Sequence, residues 1–413
     1  MSKYAFKGGL LIDGTGAAAV ENSLVLVDGE KIVYAGEMKE IPRNYEVYDI
    51  SGKSIIPGLI DVHLHFSGNL TDNDTDWPTE DNIQKAVVAV QQAHECLEAG
   101  LTTVGEVSMF GIHIRNMVEQ KVMKGPRIVA SGRGFCATCS HGDSHKVSIQ
   151  QNLEGHPWAE CVDSPWDLRK GVRRRLRENP DAIKIWATGG GIWRWETAMD
   201  QHYTMEEVQA VVDECKMRHI PVWSHCFGSA YNSVVAGVDL IVHGQSLDDE
   251  TLDLMAEKGT ALCPTINFMP AWLKTFPPKY DPAIHDQYEG DTVAEKDLNR
   301  IYANLKKAKD RGILLTIGSD SFNSQMTPYG ETTVGELHAF VECADISPMD
   351  TITAATLNGA KVLGVDDITG SIEAGKSADL LVIDGNPLHD IRELTVDTMA
   401  VIMKEGDFVR NYL

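Results

Sequence analysis

The sequence predicts a (β/α)8 barrel with a small β-sandwich domain built from both chain ends. Short apolar runs that end in polar residues recur eight times, and stretches with helical spacing separate them. Both chain ends instead carry short alternating runs, which are typical of antiparallel strands. A doubly wound sheet is disfavoured because no glycine-rich dinucleotide fingerprint follows the first strand. The predicted barrel strands span residues 59–66, 102–108, 127–134, 182–189, 221–228, 240–246, 261–266 and 314–321.

The two chain ends predict the smaller domain. Residues 23–27 and 32–35 alternate on either side of the turn Asp28-Gly29, which predicts a hairpin. Residues 378–383 form another short apolar strand that precedes a turn. We therefore expect the two ends to meet in space as one β-sandwich. The predicted domain boundaries give residues 1–57 and 366–413 to the sandwich and residues 58–365 to the barrel.

The segments between the predicted barrel strands carry helix signals. After the fourth strand, Thr204 and Glu207 form a capping box, which predicts that a helix begins there. After the first strand, apolar residues at helical spacing predict a helix that precedes the second strand. These residues are Ile83, Val87, Val90 and Ala93.

The composition excludes several classes of protein. The 413 residues include 37 basic and 60 acidic side chains, a net charge of −23, which argues against nucleic acid or an anionic membrane as a partner. No transmembrane span and no signal peptide are indicated. We therefore predict a cytoplasmic protein whose eight cysteines are reduced. Cys136 and Cys139 form a CxxC that lacks the partners of a metal or redox site, so we assign it to packing.

A pair of histidines marks the first predicted strand. His63 and His65 are separated by one residue, so on a strand both side chains point to the same side. If that side is the barrel interior, the pair can hold a transition metal ion, because neutral imidazole is a usual ligand. A strand histidine taken alone is more often a hydrogen-bonded core residue. A metal centre therefore requires further ligands.

Other predicted strands also carry residues that bind metals. The fifth strand ends with His225, the sixth with His243 and the eighth with Asp320. The fourth strand contains Lys184 within an apolar run, where an unpaired ammonium is costly. Functional groups gather at the carboxyl ends of barrel strands, so these side chains are predicted to form one site.

With these residues the chain resembles the amidohydrolase superfamily of metal-dependent hydrolases, in its binuclear form. The resemblance covers essentially the whole chain. It implies two divalent metal ions, with zinc preferred and cobalt, manganese or iron as alternatives, and it implies that Lys184 is carboxylated by carbon dioxide and bridges them. The implied ligands are His63, His65 and Asp320 for the more buried ion and His225 and His243 for the second.

The resemblance also implies a reaction. A hydroxide bridging two metal ions attacks the carbonyl of an amide, and Asp320 acts as general base and then as acid toward the leaving nitrogen. Within the superfamily the chain is most similar to the prolidase-like and Xaa-Pro dipeptidase subgroup, whose loop after strand three also carries a His-Gly-Asp sequence. Here that sequence begins at His141, which is therefore the candidate donor to the carbonyl oxygen. An alternative is that His141 only orders its loop.

The substrate contacts are predicted mainly from the end of strand four and the loop that follows it. Aromatic walls there suit an apolar or aromatic substrate group, and a guanidinium can pair with a carboxylate. The alternative is that these tryptophans pack the loop against its neighbours. The loop is bulkier than the dipeptidase pattern, which leaves open an N-acyl amino acid or dipeptide, an aryl amide, and an aryl carbamate or urea. The predicted contacts are Trp186, Trp193, Arg194, Trp195 and Tyr231.

Two other functions remain as alternatives. Mononuclear deaminases of the superfamily lack the strand-four lysine and usually carry a glutamate after the strand-six histidine, whereas Gly244 follows His243 here. A non-catalytic scaffold of the same fold would have lost its ligands, and this chain keeps them. We therefore expect a hydrolase of a carbon–nitrogen bond in a small molecule. Relatives commonly oligomerise, so a homo-oligomer is expected as well.

Overall fold

The computed structural model describes residues 2–71, 73, 76–190, 196–268 and 290–413, with the helix backbone alone for residues 290–298. Its strands are β1 (Lys3–Lys7), β2 (Leu10–Leu11), β3 (Ser23–Asp28), β4 (Lys31–Glu37), β5 (Glu46–Asp49), β6 (Ser54–Pro57), β7 (Leu59–Leu64), β8 (Leu101–Glu106), β9 (Arg127–Ala130), β10 (Gly134–Cys136), β11 (Ala159–Cys161), β12 (Ile183–Trp186), β13 (Val222–Cys226), β14 (Leu240–His243), β15 (Ala261–Cys263), β16 (Leu380–Ile383), β17 (Met399–Lys404) and β18 (Asp407–Asn411).

Helices occupy most of the connections between barrel strands. They are α1 (Asn82–Glu98), α2 (Gly111–Glu119), α3 (Ile149–Gly155), α4 (Pro165–Leu176), α5 (Met205–Lys216), α6 (Tyr231–Ala236), α7 (Asp249–Lys258), α8 (Gly290–Asp310), α9 (Glu331–Glu342), α10 (Pro348–Thr353) and α11 (Gly359–Val362). A π-helical turn spans Ala354–Asn358, and a 3-10 turn spans Ile391–Glu393. In the described part of the chain, no helix is both long and apolar enough to cross a membrane.

Parallel strands form the barrel in the middle of the chain. One sheet has the order β7-β8-β9, and the other has the order β11-β10-β12-β13-β14-β15. Residues 314–321 join the two sheets through backbone hydrogen bonds of 2.9 Å, from Thr316 N to Leu262 O on one side and from Val62 N to Ile317 O on the other. The chain therefore has the predicted (β/α)8 barrel, and helices pack around it.

Two barrel strands are less regular than the sequence predicts. The third is divided into β9 and β10 because Gly132 between them has a φ of +68°, which interrupts the extended conformation. The eighth makes only an isolated bridge, from Leu315 to Leu262, instead of a regular ladder. It ends at Asp320, whose φ of +54° turns the backbone out of the strand.

Strands from both chain ends form the smaller β-rich domain. One sheet has the order β4-β3-β1-β5, and the second has the order β18-β17-β16-β6-β2. In the second sheet, Leu380 of β16 is paired with Pro57 of β6, so the two ends of the chain share one ladder. Phe6, Val25 and Val382 belong to the buried core of this domain. The domain boundaries given above remain a prediction.

Helices α5 and α1 form where the sequence predicts them. The capping box of α5 is present, with Glu207 N donating to Thr204 Oγ1 at 3.3 Å and Thr204 N donating to Glu207 Oε2 at 2.9 Å. Helix α1 also forms, but Ile83 and Val87 are exposed. Its buried face carries Lys85, because the ammonium of this lysine donates to two loop carbonyls. Apolar spacing therefore predicted this helix but not its inward face.

Candidate metal centre and active site

The first predicted ligands converge at the carboxyl ends of β7 and of residues 314–321. Asp320 Oδ1 lies 3.2 Å from His63 Nε2 and 3.1 Å from His65 Nε2. The donor atoms of these three residues all lie within 4.8 Å of one another. The backbone N–H of Asp320 donates to His63 O at 2.8 Å, which fixes the two segments side by side. This cluster has the spacing of ligands around a single ion.

A buried carboxylate holds these two segments in register. Asp61 Oδ1 accepts hydrogen bonds from His63 N at 3.0 Å and from Ser319 N at 3.1 Å, and Asp61 Oδ2 accepts one from Thr333 Oγ1 at 2.6 Å. Burial raises the pKa of Asp61 to about 6, and the hydrogen bonds oppose that shift. Asp61 lies in the same strand as the two histidines, but sequence reasoning gave it no role.

Lys184 lies in the barrel interior beside this cluster. Its side chain is fully buried, and Nζ lies 3.5 Å from His63 Nε2. Burial lowers the pKa of Lys184 to about 8, and among the described residues no carboxylate lies within 4.0 Å of Nζ. The structure thus buries Lys184 as the apolar strand predicted, with the rings of His63 and Trp186 beside its Nζ.

The second pair of histidines lies at the ends of β13 and β14. The rings of His225 and His243 have centroids 4.5 Å apart. Burial lowers the pKa of both well below the ordinary value, so both are neutral. His243 Nδ1 lies 2.6 Å from Thr265 Oγ1, and His243 has a φ of +74°, a strained conformation for a residue other than glycine. Such strain is typical of functional sites.

The donor set fits divalent transition metals. His63 Nδ1 is buried and, among the described residues, has no hydrogen-bond partner. Burial lowers the pKa of His63 to about 3, so this ring is neutral as well. Neutral imidazoles beside a carboxylate are ligands for zinc, cobalt, iron or manganese.

His141 contacts the second pair of histidines. Its ring stacks on the ring of His225, with centroids 4.7 Å apart and planes at 25°. Its Nδ1 lies 2.8 Å from Glu196 Oε1, and Glu196 Oε2 accepts from Gly190 N at 3.2 Å and lies 3.6 Å from His202 Nε2. Burial acts to raise the pKa of Glu196, but the neighbouring His141 outweighs burial and keeps it below the ordinary value.

An aromatic wall flanks the His65 end of the site. We use this name for Trp77, Trp158, Phe268 and Phe322, which form a hydrophobic cluster with Met326, and Trp158 also packs against the barrel core. The ring of Trp158 is half-buried, and its centroid lies 5.3 Å from that of His65. Neither this wall nor Glu196 was predicted, because their residues come from loops far apart in sequence and carry no motif. The only available signal was the aromatic content of those loops.

The predicted substrate contacts have different positions. Trp186 is paired with His225 across β12 and β13 and is only 3% exposed, so little of its surface is open to a substrate. Tyr231 is 38% exposed at the first residue of α6. The remaining predicted contacts, Trp193, Arg194 and Trp195, lie outside the described residues. The role of each residue in substrate binding stays a prediction.

The predicted CxxC has no shared role in the structure. Cys139 is exposed, whereas Cys136 is buried and its Sγ lies 3.7 Å from the Sγ of Cys161 on the neighbouring strand β11. Asn152 donates to Cys161 Sγ at 3.4 Å and to Asp143 Oδ1 at 2.8 Å, which ties this region to the loop that carries His141. Cys136 and Cys161 therefore pack against each other near the site, and Cys139 does not take part.

Comparisons with known proteins were made on sequence and structure. The family model described as the amidohydrolase family matches residues 54–409. Ochratoxinase from Aspergillus niger is 26% identical over 406 residues, which cover 93% of this chain and 82% of that protein. A solved structure described as a Xaa-Pro dipeptidase with bound methionine in the active site has a TM-score of 0.86 and 29% identity, covering 99% of this chain and 100% of the other. A 5-methylthioadenosine/S-adenosylhomocysteine deaminase from Symbiobacterium thermophilum is 25% identical, covering 95% of this chain and 88% of that protein.

Proposed function

Because the chain belongs to the amidohydrolase family, we propose that it hydrolyses an amide bond of a small substrate that carries an apolar or aromatic group. An N-acyl amino acid or a dipeptide is such a substrate. The observation that carries the proposal is the convergence of His63, His65 and Asp320, with donor atoms within 4.8 Å of one another, beside the buried Lys184. A barrel that served only as a scaffold would not need this costly cluster.

The proposed centre holds two divalent ions, zinc in the first instance. The ligands of one ion are His63, His65 and Asp320, those of the other are His225 and His243, and a carboxylated Lys184 is shared by both. When bound, the ions supply an activated water molecule and withdraw charge from the scissile carbonyl. Carboxylation requires a neutral amine, and burial favours that form by lowering the pKa of Lys184 to about 8. The added negative charge would also balance the neighbouring cations.

Asp320 is assigned to proton transfer. Burial acts to raise its pKa, but the hydrogen bonds with His63 and His65 outweigh burial and hold it well below the ordinary value. The side chain is therefore a carboxylate at neutral pH and accepts a proton from the attacking water. The Asp320 carboxyl group then returns that proton to the leaving nitrogen.

His141 is assigned to the carbonyl oxygen of the substrate. In this proposal the ring carries a proton on each nitrogen, so that Nδ1–H is donated to Glu196 and Nε2–H on the other edge is the donor to the carbonyl oxygen. A donor at that position stabilises the negative charge that develops on the carbonyl oxygen. Glu196, which is 1% exposed and also accepts from Gly190 N, orients the ring. It is a positioning residue in this proposal.

The substrate group beyond the reacting bond is assigned to the mouth of the barrel. Tyr231 is exposed there, and Arg194 is proposed to pair with a substrate carboxylate. The tryptophans at 186, 193 and 195 are proposed to bound the apolar group. An aryl carbamate or urea is the second substrate class that such a pocket suits, while deamination is disfavoured because deaminases of the superfamily lack a lysine at the position of Lys184.

Substitution of Lys184 tests the proposal. The wild-type protein is reconstituted with zinc, cobalt or manganese and bicarbonate, and assayed against dipeptides, N-acyl amino acids, aryl carbamates and a purine nucleoside. We expect amide hydrolysis, about two metal ions per chain by elemental analysis, and the mass of one added carbon dioxide on Lys184. The Lys184→Met variant should lose activity by about 10²-fold or more and bind less metal.

The matched control is Lys170→Met, which changes an exposed lysine on α4 and should leave metal content and turnover unchanged. Full activity and metal content in Lys184→Met would contradict the binuclear proposal. Deamination of the nucleoside without amide hydrolysis would replace it with the deaminase alternative.

A further inference from the structure

The aromatic side chains of the site form an ordered row. Ring centroids are separated by 5.3 Å from Trp158 to His65 and by 4.9 Å from His65 to His63. The row continues with 5.9 Å from His63 to His243, 4.5 Å from His243 to His225 and 4.7 Å from His225 to His141. We call this the histidine row. One of its ends contacts the aromatic wall, and the other end contacts Glu196.

The proposed chemistry assigns a direction to this row. The carbonyl oxygen of the substrate is bound at the His141 end, where a nitrogen donor is held by a carboxylate. The proton for the leaving nitrogen comes from Asp320, whose Oδ1 lies 3.1 Å from His65 Nε2 and 3.2 Å from His63 Nε2, and the ring of His65 contacts Trp158. A substituent on the leaving nitrogen therefore extends past His65, and the next side chain in that direction is Trp158.

The aromatic wall offers surface for a flat ring. Trp158 lies 5.0 Å from Trp77 and 5.8 Å from Phe322 between centroids, in tilted and edge-on arrangements, and Phe268 lies 6.3 Å from Phe322. Trp77 and Phe322 are buried, whereas Trp158 and Phe268 are half-buried. The two buried rings support the two that retain exposed surface. A further ring packed in this geometry is stabilised beyond the contribution of its buried area.

The wall is rigid because the loops that carry it are tied together. Lys85 Nζ donates to Trp77 O at 2.9 Å and to Gly155 O at 2.8 Å, so one buried ammonium joins the turn that carries Trp77 to the end of α3. A Cβ atom at Gly155 would lie 1.9 Å from Pro78 O, which shows how closely these loops approach. Binding to such a preformed surface costs little conformational entropy.

We propose that the aromatic wall is the subsite for the substituent on the leaving nitrogen. It selects amides whose leaving amine carries an aromatic ring, such as an aromatic amino acid. This inference rests on the proposed function, because it uses the roles of His141 and Asp320. It goes beyond that function by stating which side of the scissile bond carries the ring. The acyl side of the substrate needs no aromatic group.

Two isomeric substrates test the inference. N-acetyl-phenylalanine carries its ring on the leaving amine, and N-phenylacetyl-alanine carries the same ring on the acyl group. We expect wild-type kcat/KM to favour N-acetyl-phenylalanine by about tenfold to a hundredfold. In Trp158→Leu that ratio should fall toward unity, and in Trp158→Phe most of it should remain because a ring is retained. The matched control is Trp166→Leu, a tryptophan on α4 that is 79% exposed, and it should keep the wild-type ratio.

A binding measurement separates the subsite from the reaction. Calorimetry with free phenylalanine, the leaving amine, should show at least about tenfold weaker binding to Trp158→Leu than to wild type and Trp166→Leu. Equal phenylalanine affinity in all three proteins, or an unchanged isomer ratio in Trp158→Leu, would overturn the subsite while leaving amide hydrolysis intact. Absence of hydrolysis of either isomer by the metal-loaded wild type, together with Trp158-dependent phenylalanine binding, would overturn the proposed reaction but keep the subsite. Thermal unfolding of each variant shows whether it is folded.

Discussion

The two ends of the histidine row are built from opposite chemistry. At the His141 end, a buried carboxylate, Glu196, is paired with one histidine at 2.8 Å and lies 3.6 Å from Nε2 of a second, His202. At the His65 end, the neighbours are the indole and phenyl rings of the aromatic wall. An N–H donor held by a carboxylate suits the end where negative charge develops on a carbonyl oxygen. Apolar surface suits the end that receives a substituent. In the proposed mechanism the His141 end holds the carbonyl oxygen, and the His65 end receives both the proton from Asp320 and the substituent on the leaving nitrogen.

The two ends also differ in what holds them together. Glu196 acts directly on His141, the proposed donor to the carbonyl oxygen, through a hydrogen bond. Lys85 acts on the aromatic wall through backbone carbonyls, because its ammonium contacts Trp77 O and Gly155 O rather than a ring. Loss of Glu196 should therefore change the reaction rate, whereas loss of Lys85 should change stability and selectivity.

The largest effect within this comparison is expected for His141→Leu. Removal of the proposed carbonyl donor should lower kcat by about 10²- to 10³-fold, with a smaller change in KM, because the interaction strengthens in the transition state. Both isomeric substrates should be affected equally, so their ratio should stay constant. Steady-state kinetics check this, with the exposed His113→Leu on α2 as control. A changed isomer ratio with normal kcat would mean that His141 is a selectivity residue.

An intermediate effect is expected for Glu196→Gln. The amide oxygen still accepts from His141 but without negative charge, so kcat should fall by about tenfold to a hundredfold with KM nearly constant. Glu257→Gln, at an exposed position on α7, is the matched control and should show neither change. A large rise in KM at constant kcat would argue that Glu196 contacts the substrate instead of orienting His141.

The same variant has an expected signature in the pH dependence of stability. The pKa of Glu196 in the folded protein lies below its ordinary value of 4.5, so its pairing stabilises the fold above pH 4.5 and this contribution is lost as pH falls through the folded pKa. The difference in unfolding temperature between wild type and Glu196→Gln should therefore be largest near neutral pH and shrink in acid. A difference that grows in acid would contradict the assigned pairing.

The smallest effect on the chemistry is expected for Lys85→Met. Burial lowers the pKa of Lys85 to about 8, so it is still an ammonium at neutral pH. The substitution leaves two loop carbonyls without their donor, at a cost of about 1–3 kcal/mol in unfolding free energy. Thermal unfolding should detect that loss, and the preference for N-acetyl-phenylalanine should weaken while kcat changes little.

Lys124→Met, at an exposed lysine, should leave both stability and preference unchanged. An unchanged preference in Lys85→Met, despite lower stability, would show that the aromatic wall keeps its shape without the hydrogen bonds of Lys85. The division of roles would then stand, but the rigidity of the wall would have another origin.

Sequence alone was enough for the barrel and for the candidate ligands that cluster within it. The period of two along a strand places His63 and His65 on one side, and the shared carboxyl edge of parallel strands brings His225, His243 and Asp320 near them. Lys184 was identified because an unpaired ammonium in an apolar strand is costly. Each of these inferences depends on geometry that repeats along the chain, and sequence displays such repetition directly.

Only the tertiary structure decided which loops meet above the strands. The contact between His141 and Glu196 joins two loops 55 residues apart, and the contact between His65 and Trp158 joins two others. It also decided that Trp186 is buried and that α1 turns Lys85 inward instead of Ile83. Loop paths depend on packing and on single hydrogen bonds, which have no period in sequence. For that reason the sequence predicted the candidate ligands that cluster in this hydrolase, and the fold decided what surrounds them.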